Sequence, residues 1–64
     1  AYEIVGIQER HRMRSGETLR GLALKYYGSK DFTVYLVVQN KIANPDIVPE
    51  GMWLEIPKLR LKRR

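Results

Sequence analysis

Ser15-Gly16-Glu17-Thr18-Leu19-Arg20-Gly21-Leu22-Ala23-Leu24-Lys25-Tyr26-Tyr27-Gly28 is the stretch on which the fold turns. Leu19, Leu22, Ala23 and Tyr26 recur at i, i+3, i+4 and i+7, the spacing of one apolar stripe along an α-helix. Glu17 or Thr18 suits its start, where acidic side chains and hydroxyls meet free backbone amides. Lys25 falls near the end, where a cation complements the helix dipole, and Gly28 is a natural C-terminal stop. Ser15-Gly16 breaks whatever precedes.

Upstream, Glu9 to Arg14 alternates, with His11 and Met13 pointing one way and Arg10, Arg12 and Arg14 the other, which predicts a half-buried strand. Tyr2 to Ile7 is rich in β-formers and either extends that strand or makes a separate edge strand, with Gly6 leaving room for a bend or bulge. Downstream, Phe32 to Asn40 carries β-formers (Thr33, Val34, Tyr35, Val37, Val38), yet Phe32, Leu36 and Asn40 sit four apart on a helical face. Periodicity leaves both readings open, and Asp31 as an N-cap and the length of the stretch favour a helix. Lys41 to Gly51 reads as a loop, holding Asn44-Pro45 and then Pro49-Glu50-Gly51, which suits a type I turn with proline second and glycine fourth. Met52 to Ile56 alternates again, with Leu54 and Ile56 inward, Trp53 and Glu55 outward, and Pro57 as the expected end of the strand.

The expected fold class is therefore α+β, in the order βααβ: a two-stranded antiparallel sheet with two helices packed on one face. The helices are needed because a lone pair of strands is marginal in water. Sixty-four residues allow one domain, and no cysteine is present to staple it. A hydrophobic fraction of 44% is that of a folded module. No apolar run approaches the roughly 18 residues of a membrane span, and no signal segment opens the chain. It begins at Ala1 rather than methionine, which suggests a piece of a longer protein or a processed form.

The formal net charge of +5 is unevenly placed. Five of the 12 basic residues are Lys58, Arg60, Lys62, Arg63 and Arg64, so the chain up to Pro57 is formally neutral. We expect residues 1–9 to be an N-terminal extension or extra strand, 10–58 the domain, and 59–64 a basic solvated tail.

His11-Arg12-Met13-Arg14-Ser15-Gly16-Glu17-Thr18-Leu19, Leu22-Ala23 with Tyr26-Tyr27-Gly28, Asn40, Asn44-Pro45 with Ile47, and Gly51 with Leu54-Glu55-Ile56-Pro57 together resemble the LysM domain family, over roughly residues 10 to 58. Each piece is weak by itself; their order and spacing are specific. The family usually has aspartate where Glu17 stands, and glutamine is common where Met52 follows the glycine. The resemblance implies a βααβ fold, and favours the helical reading of Phe32 to Asn40. It also implies binding, without cleavage, of N-acetylglucosamine-containing polymers, peptidoglycan or chitin-type glycans, with peptidoglycan foremost. The implied groove lies between the loop from first strand to first helix and the loop from second helix to second strand. It maps onto Gly16, Glu17, Thr18 and Leu19 on one side and Asn44, Pro45, Asp46 and Ile47 on the other. The implied localisation is the cell envelope or the extracellular space, and no cofactor or metal is implied.

The chemistry of such a site can be stated independently. An N-acetyl group presents a carbonyl, an amide N–H and a methyl. Gly16 permits close backbone approach, amides at the start of the first helix are free donors, Leu19 and Ile47 suit the methyl, and Asp46 or Glu17 can accept from hydroxyls. Gly16, Thr18 and Asn44-Pro45 also have plain turn and capping roles, Asn40 reads first as a helix-end cap, and His11 packs at the core edge. Tyr26, Tyr27, Phe32 and Tyr35 are spaced as core or core-edge residues. Trp53 falls on the sheet face away from the helices near Arg12 or Arg14, where it suits a cation–π contact, packing against the rest of a parent protein, or sugar stacking.

Two other classes compete. A glycosidase would need Glu17 and Asp46 facing each other with one pKa raised by burial, which exposed loops do not supply. An interaction module would use Trp53 for protein packing, or Arg10, Arg12, Arg14 and the tail for nucleic acid, the less favoured partner.

Overall fold

The computed structural model describes residues 2–62; Arg63 and Arg64 of the expected tail lie outside them. The architecture is the α+β, βααβ arrangement expected: β1 (Tyr2–Arg12), α1 (Leu19–Tyr27), a 3-10 turn (Lys30–Phe32), α2 (Thr33–Asn40) and β2 (Trp53–Leu61). β1 and β2 form an antiparallel ribbon. Met13, Leu19, Leu22, Ala23, Leu36, Leu54 and Ile56 form the core between ribbon and helices.

α1 follows its local signals closely. Thr18 is the N-cap, its hydroxyl accepting from the Gly21 amide at 3.0 Å, and Gly28 closes the helix at φ 79 with its N–H on the Leu24 carbonyl. Phe32 to Asn40 is helical, but Asp31 does not cap it. Ser29 does the capping one turn earlier, accepting from the Asp31 amide, and the 3-10 turn leads straight into α2. A hydroxyl two residues upstream reaches an orphan amide as well as a carboxylate does. α2 ends on Lys41, which takes a left-handed φ of 53.

The ribbon departs most from the sequence reading. Of the alternatives for the first residues, the strand extension holds and a separate extension does not: β1 is continuous from Tyr2 to Arg12 and pairs with β2 along its length. Register shifts between Ile4 and Gly6 and between Ile7 and Glu9 absorb one extra residue each, Val5 and Gln8. Tyr2 closes an aromatic cluster, its ring centroid 4.9 Å from Phe32 and 6.5 Å from Tyr35, which anchors the start of β1 against the helices. Nor does Pro57 end β2: the strand runs on to Leu61, so Leu59, Arg60 and Leu61 are ribbon rather than tail. A two-stranded ribbon has only edges, and at an edge a residue without N–H forfeits nothing. Pro57 is fully buried, and its carbonyl accepts from the Gln8 side chain and the Tyr27 hydroxyl. Glu3 and Arg60 face each other beyond it at 2.5 Å, and the guanidinium holds the Glu3 carboxyl below its ordinary range.

Asn40 does more than cap. Its Nδ2 donates to the carbonyls of Leu36 and Glu55, both at 2.9 Å, while its Oδ1 accepts from the Glu55 amide at 2.8 Å. One side chain thus takes the place of a third strand at one residue of the β2 edge.

Candidate functional site

The loop from β1 to α1 and the loop from α2 to β2 lie side by side. Each is built on a turn. In the first, the Glu17 amide donates to the Arg14 carbonyl at 3.1 Å, and Gly16 at the third position takes φ 85, a value that only glycine adopts cheaply. In the second, the Ile47 amide closes on the Asn44 carbonyl at 3.0 Å, and the Asn44 side chain accepts from the Asp46 amide at 3.0 Å. Pro45 presets the bend. The turn that follows sits one residue later than expected: Met52 N–H meets the Pro49 carbonyl, so Gly51 is third rather than fourth, at φ 86, as a type II turn requires.

Between the rims lies a small depression of ≈ 100 Å³ bordered by Glu17, Thr18, Leu19, Arg20, Pro45, Asp46 and Val48. Arg20 Nη1 meets Asp46 Oδ1 across it at 2.8 Å. Thr18 and Asp46 are therefore on the same side of the molecule. Gly16 borders an adjoining depression of ≈ 250 Å³ with Glu17, Thr18, Gly21, Leu22 and Lys25. Asn44 acts through its turn, and Ile47 stands 71% exposed beside the depression rather than in it. Leu19 is 1% exposed over the whole residue, so it belongs to the core and meets no ligand at this surface.

Neither expected carboxylate is free. Glu17 Oε1 accepts from the Arg14 amide at 2.7 Å and pairs with His11 Nε2 at 2.8 Å. The bond to His11, then that to the Arg14 amide, hold its carboxyl below the usual value. His11 sits at the core edge as expected, its ring edge-on to Tyr26. Tyr26 donates to Glu9 Oε2 at 2.5 Å, and partial burial followed by that bond push its hydroxyl up to about 12. What remains open is donor-rich: the amide of the exposed Arg20 has no acceptor among the described residues, and the Arg20 guanidinium has donors beyond the one on Asp46.

Arg20, Val48, Gly21 and Lys25 escaped the sequence reading. Gly21, Arg20 and Lys25 follow from the helical wheel once Thr18 is the cap, because they rise on the flanks of the buried stripe. Nothing local announces the partnership of Arg20 with a residue 26 positions away. Trp53 lies directly opposite Arg12 in the ribbon, as expected, but no cation–π contact joins them. The Arg12 guanidinium instead lies over Gly51, and the cation–π contact found among the described residues is Lys25 on Tyr26. Among the same residues there is no group of three metal-ligating side chains, and no helix is long and apolar enough to cross a membrane.

The fold and the paired rims define a small α+β module with a polar, backbone-rich cleft. No protein-family model matches the chain, and no solved structure matches it significantly. It is similar to two curated proteins, both named as esterases and both from Mycobacterium tuberculosis, in the strains CDC 1551 / Oshkosh and ATCC 25618 / H37Rv. Each is 38% identical over 47 residues, 73% of this chain and 10% of the relative. The chain thus spans about a tenth of the length of the curated relatives it matches.

Proposed function

We propose that the chain is a non-catalytic carbohydrate-binding module of the LysM type, recognising N-acetylglucosamine-containing glycans at a cell envelope or outside the cell, with peptidoglycan foremost. The observation that carries this reading is the meeting of the two turn-built rims at Arg20 and Asp46, with the unpartnered amide of the exposed Arg20 beside them. A sugar acetamido carbonyl finds donors there, and its methyl finds Ile47 or Val48. Each such contact contributes about 0.5–1.5 kcal/mol net, so one sugar binds weakly and retention calls for several sugars or several modules.

The state of the carboxylates favours binding over hydrolysis. A general acid needs a raised pKa, whereas that of Glu17 is lowered, and Asp46 is tied to Arg20. The chain's one histidine is engaged with Glu17. A stretch amounting to a tenth of an esterase is the size of an accessory module, so the match brings no esterase activity with it.

Amide chemical-shift mapping with N-acetylglucosamine oligomers tests the proposal. Shifts are expected at Gly16 to Arg20 and Asn44 to Val48. Shifts confined to Arg60 to Lys62, or release of shorter oligomers on prolonged incubation, would overturn it.

A further inference from the structure

We propose that the ribbon face turned away from the helices carries a second saccharide site, built on Trp53 with the Arg12 and Arg14 guanidinium groups, for a carboxylate-bearing sugar unit. This rests on the reading that the chain binds amino-sugar glycans, and it assigns that glycan an acidic substituent.

Trp53 is 64% exposed although its strand neighbour Leu54 is buried. Depressions flank it on both sides. One, of ≈ 560 Å³, is bordered in part by Arg12, Arg14, Ser15, Glu50 and Gly51; the other, of ≈ 480 Å³, by Arg10, Leu54 and Glu55. A flat apolar ring between two shallow depressions, one of mixed polarity and one mostly apolar, suits the apolar face of a pyranose, with hydroxyls reaching outward to the charged rim.

The charges on the face select the substituent. Arg10 is offset by Glu55 at 3.7 Å, and Glu9 turns its carboxylate to Tyr26. Arg12 and Arg14 form no close ion pair among the described residues, the Arg14 charge reaching Glu17 only at longer range, and Glu50 lines the same depression without a close cationic partner. One guanidinium is thus in excess. That suffices for a single carboxylate, which an arginine fork grips through two parallel N–H bonds, and falls short of the row of cations that a nucleic-acid strand requires. Arg14 and Ser15 run directly into Gly16 and Glu17, and the Arg14 amide is itself bonded to the Glu17 carboxylate. An acidic glycan strand can therefore engage groove and face together, while a neutral one engages the groove alone.

Trp53 is the chain's one tryptophan, so its emission reports this face without interference. Titration with the disaccharide of N-acetylglucosamine and N-acetylmuramic acid is expected to change the emission, and a neutral N-acetylglucosamine oligomer to leave it unchanged. In the exposed double variant Arg12→Gln/Arg14→Gln, half-saturation by the acidic disaccharide rises roughly five- to tenfold. The amide shifts of Thr18 and Asp46 with the neutral oligomer stay as in the parent chain, which also reports that the variant is folded. Equal emission changes with both sugars overturn the acidic assignment. Silent emission beside moving Thr18 and Asp46 amides overturns the second site and keeps the groove. A responsive Trp53 beside silent amides does the reverse. Tighter emission binding by a thymidine oligonucleotide than by the acidic disaccharide also overturns the proposal.

Discussion

Replacing Asn40 tests how the β2 edge is held. The side chain makes three hydrogen bonds, two of them to the amide and carbonyl of Glu55. In Asn40→Ala both Glu55 groups lose their partner at a half-buried site where α2 overlies the strand, and each costs roughly 1 kcal/mol; with the Leu36 contact the total is about 2–3 kcal/mol. A domain of this size loses about 4–8 °C of Tm per kcal/mol, so thermal unfolding followed by circular dichroism should show a drop of roughly 10–20 °C. Asn40→Asp separates hydrogen bonding from shape. It keeps an acceptor for the Glu55 amide but aims its second oxygen at two carbonyls, so at neutral pH it should be at least as destabilised as the alanine variant. On acidification the carboxyl regains a donor and the deficit should shrink. The reasoning is refuted if Asn40→Ala melts within about 3 °C of the parent and hydrogen exchange at the Glu55 amide is not accelerated.

Three further outcomes follow from the same geometry. The Glu17 carboxyl lies below its ordinary 4.5 in the folded chain, so its stabilising contribution is complete above that value and disappears as pH falls beneath it. Unfolding of Glu17→Gln should accordingly show a shallower acid limb, and superimposable limbs would count against the His11–Glu17 pairing. Lys41 holds a left-handed φ of 53, and Lys41→Gly should stabilise by roughly 0.5–1 kcal/mol in denaturant titration; an unchanged or lowered midpoint would refute strain at this cap. Gly28→Ala forces a side chain into φ 79 at the end of α1 and should cost about 1 kcal/mol by the same titration; an unchanged midpoint would mean that the cap is not needed.

The sequence by itself determined what depends on neighbours within a turn or two. The stripe Leu19, Leu22, Ala23 and Tyr26, a cap at Glu17 or Thr18, the Gly28 stop and the alternation of Leu54 and Ile56 are set by periodicity and backbone preference; each stands where local reasoning puts it, with Thr18 the cap of the two. Tertiary structure decided the rest. Whether Pro57 ends a strand depends on whether its missing N–H would have faced a third strand, and whether residues 2–9 belong to the domain depends on bulges that bring Tyr2 onto Phe32. The Asn40–Glu55 and Arg20–Asp46 bonds span 15 and 26 positions. Contacts of that kind leave no periodic trace, because the partner of a polar side chain is chosen by how the elements pack and not by what precedes it in the chain.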